Sequence, residues 1–73
     1  MMTSSNQIQV QVNGQETCCA VGQYLPDLLA QLKLNPRLIA IEYNGEILHR
    51  QFWDTQPVAN GDRLEIVTIV GGG

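Results

Sequence analysis

Positive charge is scarce in this chain: Lys33, Arg37, Arg50 and Arg63 stand against seven Asp and Glu, for a net charge of −3. No basic stripe can track a phosphate backbone, so nucleic acid is excluded as a partner. Histidine is reduced to His49, and neither it nor any cysteine or carboxylate has the spacing of a catalytic triad or metal site. His49 therefore reads as a surface strand residue, and side-chain catalysis has no agent. Long apolar runs are missing, far short of the ~20 residues that span a bilayer, and no basic segment leads into an apolar one at the start. A soluble, cytoplasmic protein with no membrane partner is expected. Cysteine is limited to the neighbours Cys18 and Cys19. A bridge between them would close almost no loop and distort the intervening peptide, so both read as free thiols, as a reducing compartment favours. A glycine-rich phosphate loop is also lacking, because Gly71, Gly72 and Gly73 precede no helix and no Lys-Ser or Lys-Thr pair.

What is present is a short chain of 73 residues, 44% hydrophobic and only 15% charged, which is too apolar for disorder and long enough for one small core. Residues 1–6 read as a disordered leader. From Gln7 the pattern alternates, Gln7, Gln9 and Gln11 against Ile8, Val10 and Val12, as a half-buried strand requires. Asn13-Gly14 tolerates positive φ at both positions, so it reads as a type I′ turn returning a second strand through Ala20, with one cysteine inward and one outward. Leu25, Leu28, Leu29 and Leu32 recur at helical spacing, and the predicted helix runs from Leu25 to Lys33. Pro26 suits its first turn and Asp27 complements its dipole, whereas Tyr24 is a poor N-cap. Asn35-Pro36 must end it.

Ile39, Ile41 and Tyr43 alternate with Ala40 and Glu42 as a third strand, and Asn44-Gly45 turns the chain into a fourth, Glu46 to His49. Phe52 and Trp53 are expected to anchor the irregular segment after it through one helical turn. Gly61-Asp62 precedes a last strand, Arg63 to Val70, in which Leu64, Ile66 and Thr68 alternate with Glu65, Val67 and Ile69. Hairpin, helix, hairpin, connection and final strand define an α+β fold of the β-grasp type. Four to five strands form a mixed sheet on one helix, and the last strand lies parallel to the first through the helical crossover. The folded domain is expected over residues 7–70.

The glycines Gly71, Gly72 and Gly73 read as a flexible tail that follows the last strand directly. Three residues reach ~10 Å when extended. Such an arm enters a channel too narrow for side chains, and its terminal carboxylate becomes a reagent. Condensation with ATP to an acyl adenylate makes attack by a sulfur nucleophile feasible, and displacement of AMP leaves a thiocarboxylate. Val67 and Ile69 are expected to project outward if Leu64 and Ile66 point inward, which makes Val67, Ile69 and Val70 a candidate partner surface.

Several segments together resemble the ThiS family, the ubiquitin-like β-grasp sulfur carriers of thiamine biosynthesis, from about Gln7 to Gly73. They are Val12-Asn13-Gly14, Leu28-Leu29-Ala30-Gln31-Leu32, Ala40-Ile41-Glu42, Asn44-Gly45-Glu46-Ile47, Arg50 with Trp53, Gly61-Asp62-Arg63, and the run from Glu65 through Gly71-Gly72-Gly73. The resemblance implies a protein co-substrate, not an enzyme. It implies that a ThiF-type enzyme adenylates the carboxylate of Gly73, with Gly71 and Gly72 threading the partner's channel. Sulfur would come from a cysteine desulfurase, and a ThiG-type thiazole synthase would receive it. ATP and its metal would belong to the activating enzyme, and this chain would bind no cofactor. Tyr24 and Pro26 depart from the expected hydroxyl cap and ordinary helix former, and His49 stands where the family often has proline. Three alternatives stay open: the related carrier for molybdopterin synthesis, a protein modifier attached to lysines as ubiquitin is, and a plain β-grasp binding module.

Overall fold

The computed structural model describes residues 6–69. Strands β1 (Gln7–Val12) and β2 (Gln15–Ala20) form the opening hairpin, with Val12 opposite Gln15. Asn13 and Gly14 both take positive φ, 53° and 84°, as the type I′ turn demands. Asn6, placed by the sequence at the end of the leader, accepts a hydrogen bond from the Val21 amide at 2.9 Å. Residues 1–5 lie outside the described residues.

Helix α1 spans Leu25–Gln31 and buries Leu25, Leu28 and Leu29 completely or nearly so, each contributing about 1.5–3 kcal/mol of transfer free energy. Its start follows the expected logic. The phenol of Tyr24 makes no capping bond, but the carboxylate of Asp27 accepts the Tyr24 amide at 3.0 Å, and the Gln56 carbonyl accepts the Leu25 amide at 2.8 Å. Pro26 removes one orphan donor. The end differs from the reading to Lys33, because Lys33 adopts φ 60° and leaves the helix. Its amide donates to Ala30 and that of Leu34 to Leu29, both at 3.0 Å, a Schellman closure in which lysine holds the position usually given to glycine.

A 3₁₀ turn at Pro36–Leu38 leads into β3 (Ile39–Tyr43), whose Ile39, Ile41 and Tyr43 face the core. Strand β4 is only Glu46–Ile47, two residues shorter than the reading to His49. His49 instead caps a 3₁₀ helix at Arg50–Thr55, so it is not a strand residue. That helix is the expected helical turn, but only one of its aromatics is an anchor: Trp53 is 5% exposed and Phe52 49%. The Trp53 indole donates to the Leu48 carbonyl at 2.9 Å, and the Arg50 guanidinium lies 4.9 Å from the ring centroid while donating to Pro36 at 2.6 Å.

Strand β5 (Arg63–Thr68) completes a five-stranded sheet of order β2-β1-β5-β3-β4. It is parallel to β1 and antiparallel to β3, the mixed arrangement that a helical crossover permits. The helix and the inner sheet face enclose one core, to which Val10, Cys19, Ile41, Trp53, Leu64 and Ile66 contribute. The last strand ends two residues before the expected Val70, which lies outside the described residues.

Candidate functional site

Strand β5 carries whatever follows it, so the site is built from the forces that hold this strand. Leu64 and Ile66 are buried, and the period of two therefore turns Glu65 and Val67 outward. On one side β5 pairs with β3 from Tyr43↔Leu64 to Ile39↔Thr68. The amide of Ile69 donates to the Leu38 carbonyl at 2.6 Å, so the ladder persists one step past the strand's end. On the other side β1 pairs only at Gln11↔Arg63 and Val12↔Leu64.

Two turn asparagines extend this grip. The Asn13 amide group donates to the Ile66 carbonyl at 3.1 Å and accepts the Ile66 amide at 2.7 Å, acting as one more rung where β1 has run out. Asn44 accepts the Arg63 amide at 2.8 Å and donates to the Asp62 carboxylate at 3.1 Å. Asp62 also accepts from the Ala59 amide at 2.8 Å and from the Tyr43 hydroxyl at 2.5 Å. Burial first, and then this bond to Asp62, raises the Tyr43 phenol well above its ordinary pKa. These side chains fix the start and the middle of β5, and the backbone bond from Ile69 to Leu38 holds its far end.

The outer face of β3, β4 and β5 is a continuous stripe. Cross-strand register sets Leu38 beside Ile69, Ala40 beside Val67, and Glu42 beside Glu65, with Ile47 flanking Glu42 from β4. Ile47 is 67% exposed and Val67 58%, while Leu38 and Ile69 are each about half exposed. Ala40, Glu42, Ile47, Glu65 and Val67 line a shallow groove of about 480 Å³. Exposed apolar side chains gathered in this way mark interaction sites. Of the residues singled out in the sequence, Val67 and Ile69 stand on this face, whereas Val70, Gly71, Gly72 and Gly73 lie outside the described residues. Leu38, Ala40, Glu42, Ile47 and Glu65 were not singled out. The out-of-phase positions of the third strand could have signalled Ala40 and Glu42.

Other chemistry-bearing groups do not converge. Cys18 is exposed, its thiol 2.9 Å from the Gln7 side-chain oxygen, and Cys19 is buried. Burial first, then the neighbouring Cys18 and Asp62, raises the Cys19 thiol above its ordinary value, which disfavours the reactive thiolate. Among the described residues, no group of three His, Cys, Asp or Glu is arranged to hold a metal ion. None of their helices is long and apolar enough to cross a membrane.

The model of the ThiS family matches residues 10–73. An uncharacterized protein ycf40 of Trieres chinensis is 42% identical over 62 residues, covering 85% of each chain. The sulfur carrier protein ThiS of Escherichia coli is 32% identical over 66 residues, 90% of this chain and 100% of that one. A thiazole synthase of Paramagnetospirillum magneticum is 36% identical over 62 residues, which are 85% of this chain and only 19% of the synthase. The crystal structure of a thiamine biosynthesis protein, ThiS, from Geobacter metallireducens superposes with a TM-score of 0.78 at 32% identity, covering 90% of this chain and all of that one.

Proposed function

This chain belongs to the ThiS family, and from that membership we propose that it carries sulfur for thiazole formation on the carboxylate of Gly73. The observation that carries the reading is the family match, which spans residues 10–73 and so includes Gly71, Gly72 and Gly73. The grip on β5 supports it, since a tail used as a reagent needs a rigid base.

A carboxylate oxygen of Gly73 attacks the α-phosphorus of ATP on a ThiF-type enzyme, and pyrophosphate leaves. The acyl adenylate is then attacked at its carbonyl carbon by a sulfur nucleophile; the C–O bond to AMP breaks and a C–S bond forms. Where the donor is a persulfide charged by a cysteine desulfurase, the product is an acyl disulfide. A thiol cleaves it to the thiocarboxylate and a disulfide. Thiocarboxylate sulfur is softer and more nucleophilic than oxygen, which suits transfer to a ThiG-type thiazole synthase. That synthase is favoured as recipient by the relative in which a region similar to this chain forms part of a thiazole synthase. Covalent linkage of carrier and acceptor raises their effective concentration. Gly71 and Gly72 thread the partner channels, Val67, Ile69 and Val70 face the partners, and the nucleotide with its metal is held by the activating enzyme. The chain is a co-substrate and itself holds no cofactor.

Intact-mass spectrometry tests the reading. Incubation with the activating enzyme, ATP and a sulfur donor should exchange one oxygen for sulfur at Gly73, and an unchanged mass would refute it. Isopeptide conjugates on lysines would support a protein modifier instead.

A further inference from the structure

The outer face of β3, β4 and β5 carries an electrostatic feature that the fold does not need. Glu42 and Glu65 are direct cross-strand partners, and like charges at such positions destabilise a sheet. Among the described residues, no cationic side chain comes within ion-pair distance of either carboxylate. Arg63 shares their face two residues along β5, but it makes no ion pair with Glu65. The pair sits in the groove whose other walls are Ala40, Ile47 and Val67. Ile47 and Val67 can cover the aliphatic stem of a long side chain and exclude water from its head group. The face continues from the acidic pair through Val67 to Ile69, so the groove and the base of the tail belong to one surface. Ile69 lies four residues beyond Glu65, about 14 Å along extended chain.

We propose that this groove docks an apolar surface of thiazole synthase from which one arginine enters between Glu42 and Glu65. The proposal rests on the sulfur-carrier reading for the choice of partner, and on charge complementarity for the chemistry. Arginine suits the position better than lysine, because a planar fork can donate to two carboxylates at once and is more weakly hydrated. An arginine seated here, about 14 Å along the strand from Ile69, would fix the direction in which the tail leaves the interface.

Calorimetric titration of the full chain into the thiazole synthase of the same organism tests the proposal. Comparison is made with the E42Q/E65Q double variant and with Glu42→Arg. Both variants should bind at least ~10-fold more weakly, and the double variant should lose most of the salt dependence of binding. Both free variants should melt a few degrees higher than the parent, because the like-charge contact is relieved. That rise separates weakened binding from a damaged fold. Double-variant affinity within about twofold of the parent would overturn the proposal, as would no binding by the parent. The sulfur reading is read out separately, by the mass of the parent tail. A tail that takes up sulfur beside unaltered variant affinity sinks the arginine seat alone, whereas intact acid-dependent docking of a tail that never takes up sulfur sinks the carrier reading alone.

Discussion

Asn13 does two jobs whose energies can be separated. Its backbone supplies the positive φ of the turn, and its side chain closes two hydrogen bonds on Ile66. Replacement by glycine keeps the first and removes the second. Asn13→Gly should therefore cost about 1–2 kcal/mol in urea unfolding, the range for partly buried polar groups left without partners. Lys33 offers the opposite sign. It sits at φ 60°, where a Cβ is strained, so Lys33→Gly should stabilise the chain by about 0.5–1 kcal/mol, measured in the same way. Tyr43 gives a pH dependence. Its folded pKa is raised by burial and by Asp62, so its contribution is complete below the unfolded value near 10 and is lost as pH climbs towards the folded value. Stability should fall above about pH 10, and Tyr43→Phe should flatten that part of the profile. Neither the asparagine bonds nor the strained lysine was legible in the sequence. The first joins residues 53 apart, and the second is a positive φ at a residue type that carries no turn signal.

At the scale of elements, the hairpins and the helix face were legible because each has a physical signature that needs no tertiary context. Asn-Gly pairs force tight turns, period-two runs force strands, and the leucines of α1 mark one stripe. The segment Arg50–Thr55 shows where that logic stops. Phe52 and Trp53 are adjacent and both aromatic, so periodicity cannot rank them. The core accepts the indole because its N–H finds the Leu48 carbonyl. Trp53→Ala should accordingly cost about 3–5 kcal/mol, while Phe52→Ala, made at an exposed position, should change stability by less than about 1 kcal/mol in thermal unfolding. The short β4 has the same origin. The His49 carbonyl accepts the Phe52 amide as the 3₁₀ helix opens, and the strand ends before it. Of the candidate surface, Val67 and Ile69 followed from alternation in β5, but Ile47 and Leu38 join them only through cross-strand register, which pairs segments far apart in the chain.

On the scale of the whole molecule, folding and function occupy different stretches of chain. The buried core runs from Val10 to Ile66, and the proposed reagent lies beyond it at Gly73. Deletion of Gly73 should leave the melting temperature unchanged while drawing the terminal carboxylate back by one residue, to Gly72, and so out of reach of the chemistry proposed for Gly73. The decisive measurement is ATP–pyrophosphate exchange with the ThiF-type enzyme, run with the full chain and with the Gly73 deletion. Label should pass from pyrophosphate into ATP with the full chain and not with the truncated one; no exchange with the full chain, or equal exchange with both, would contradict the central claim.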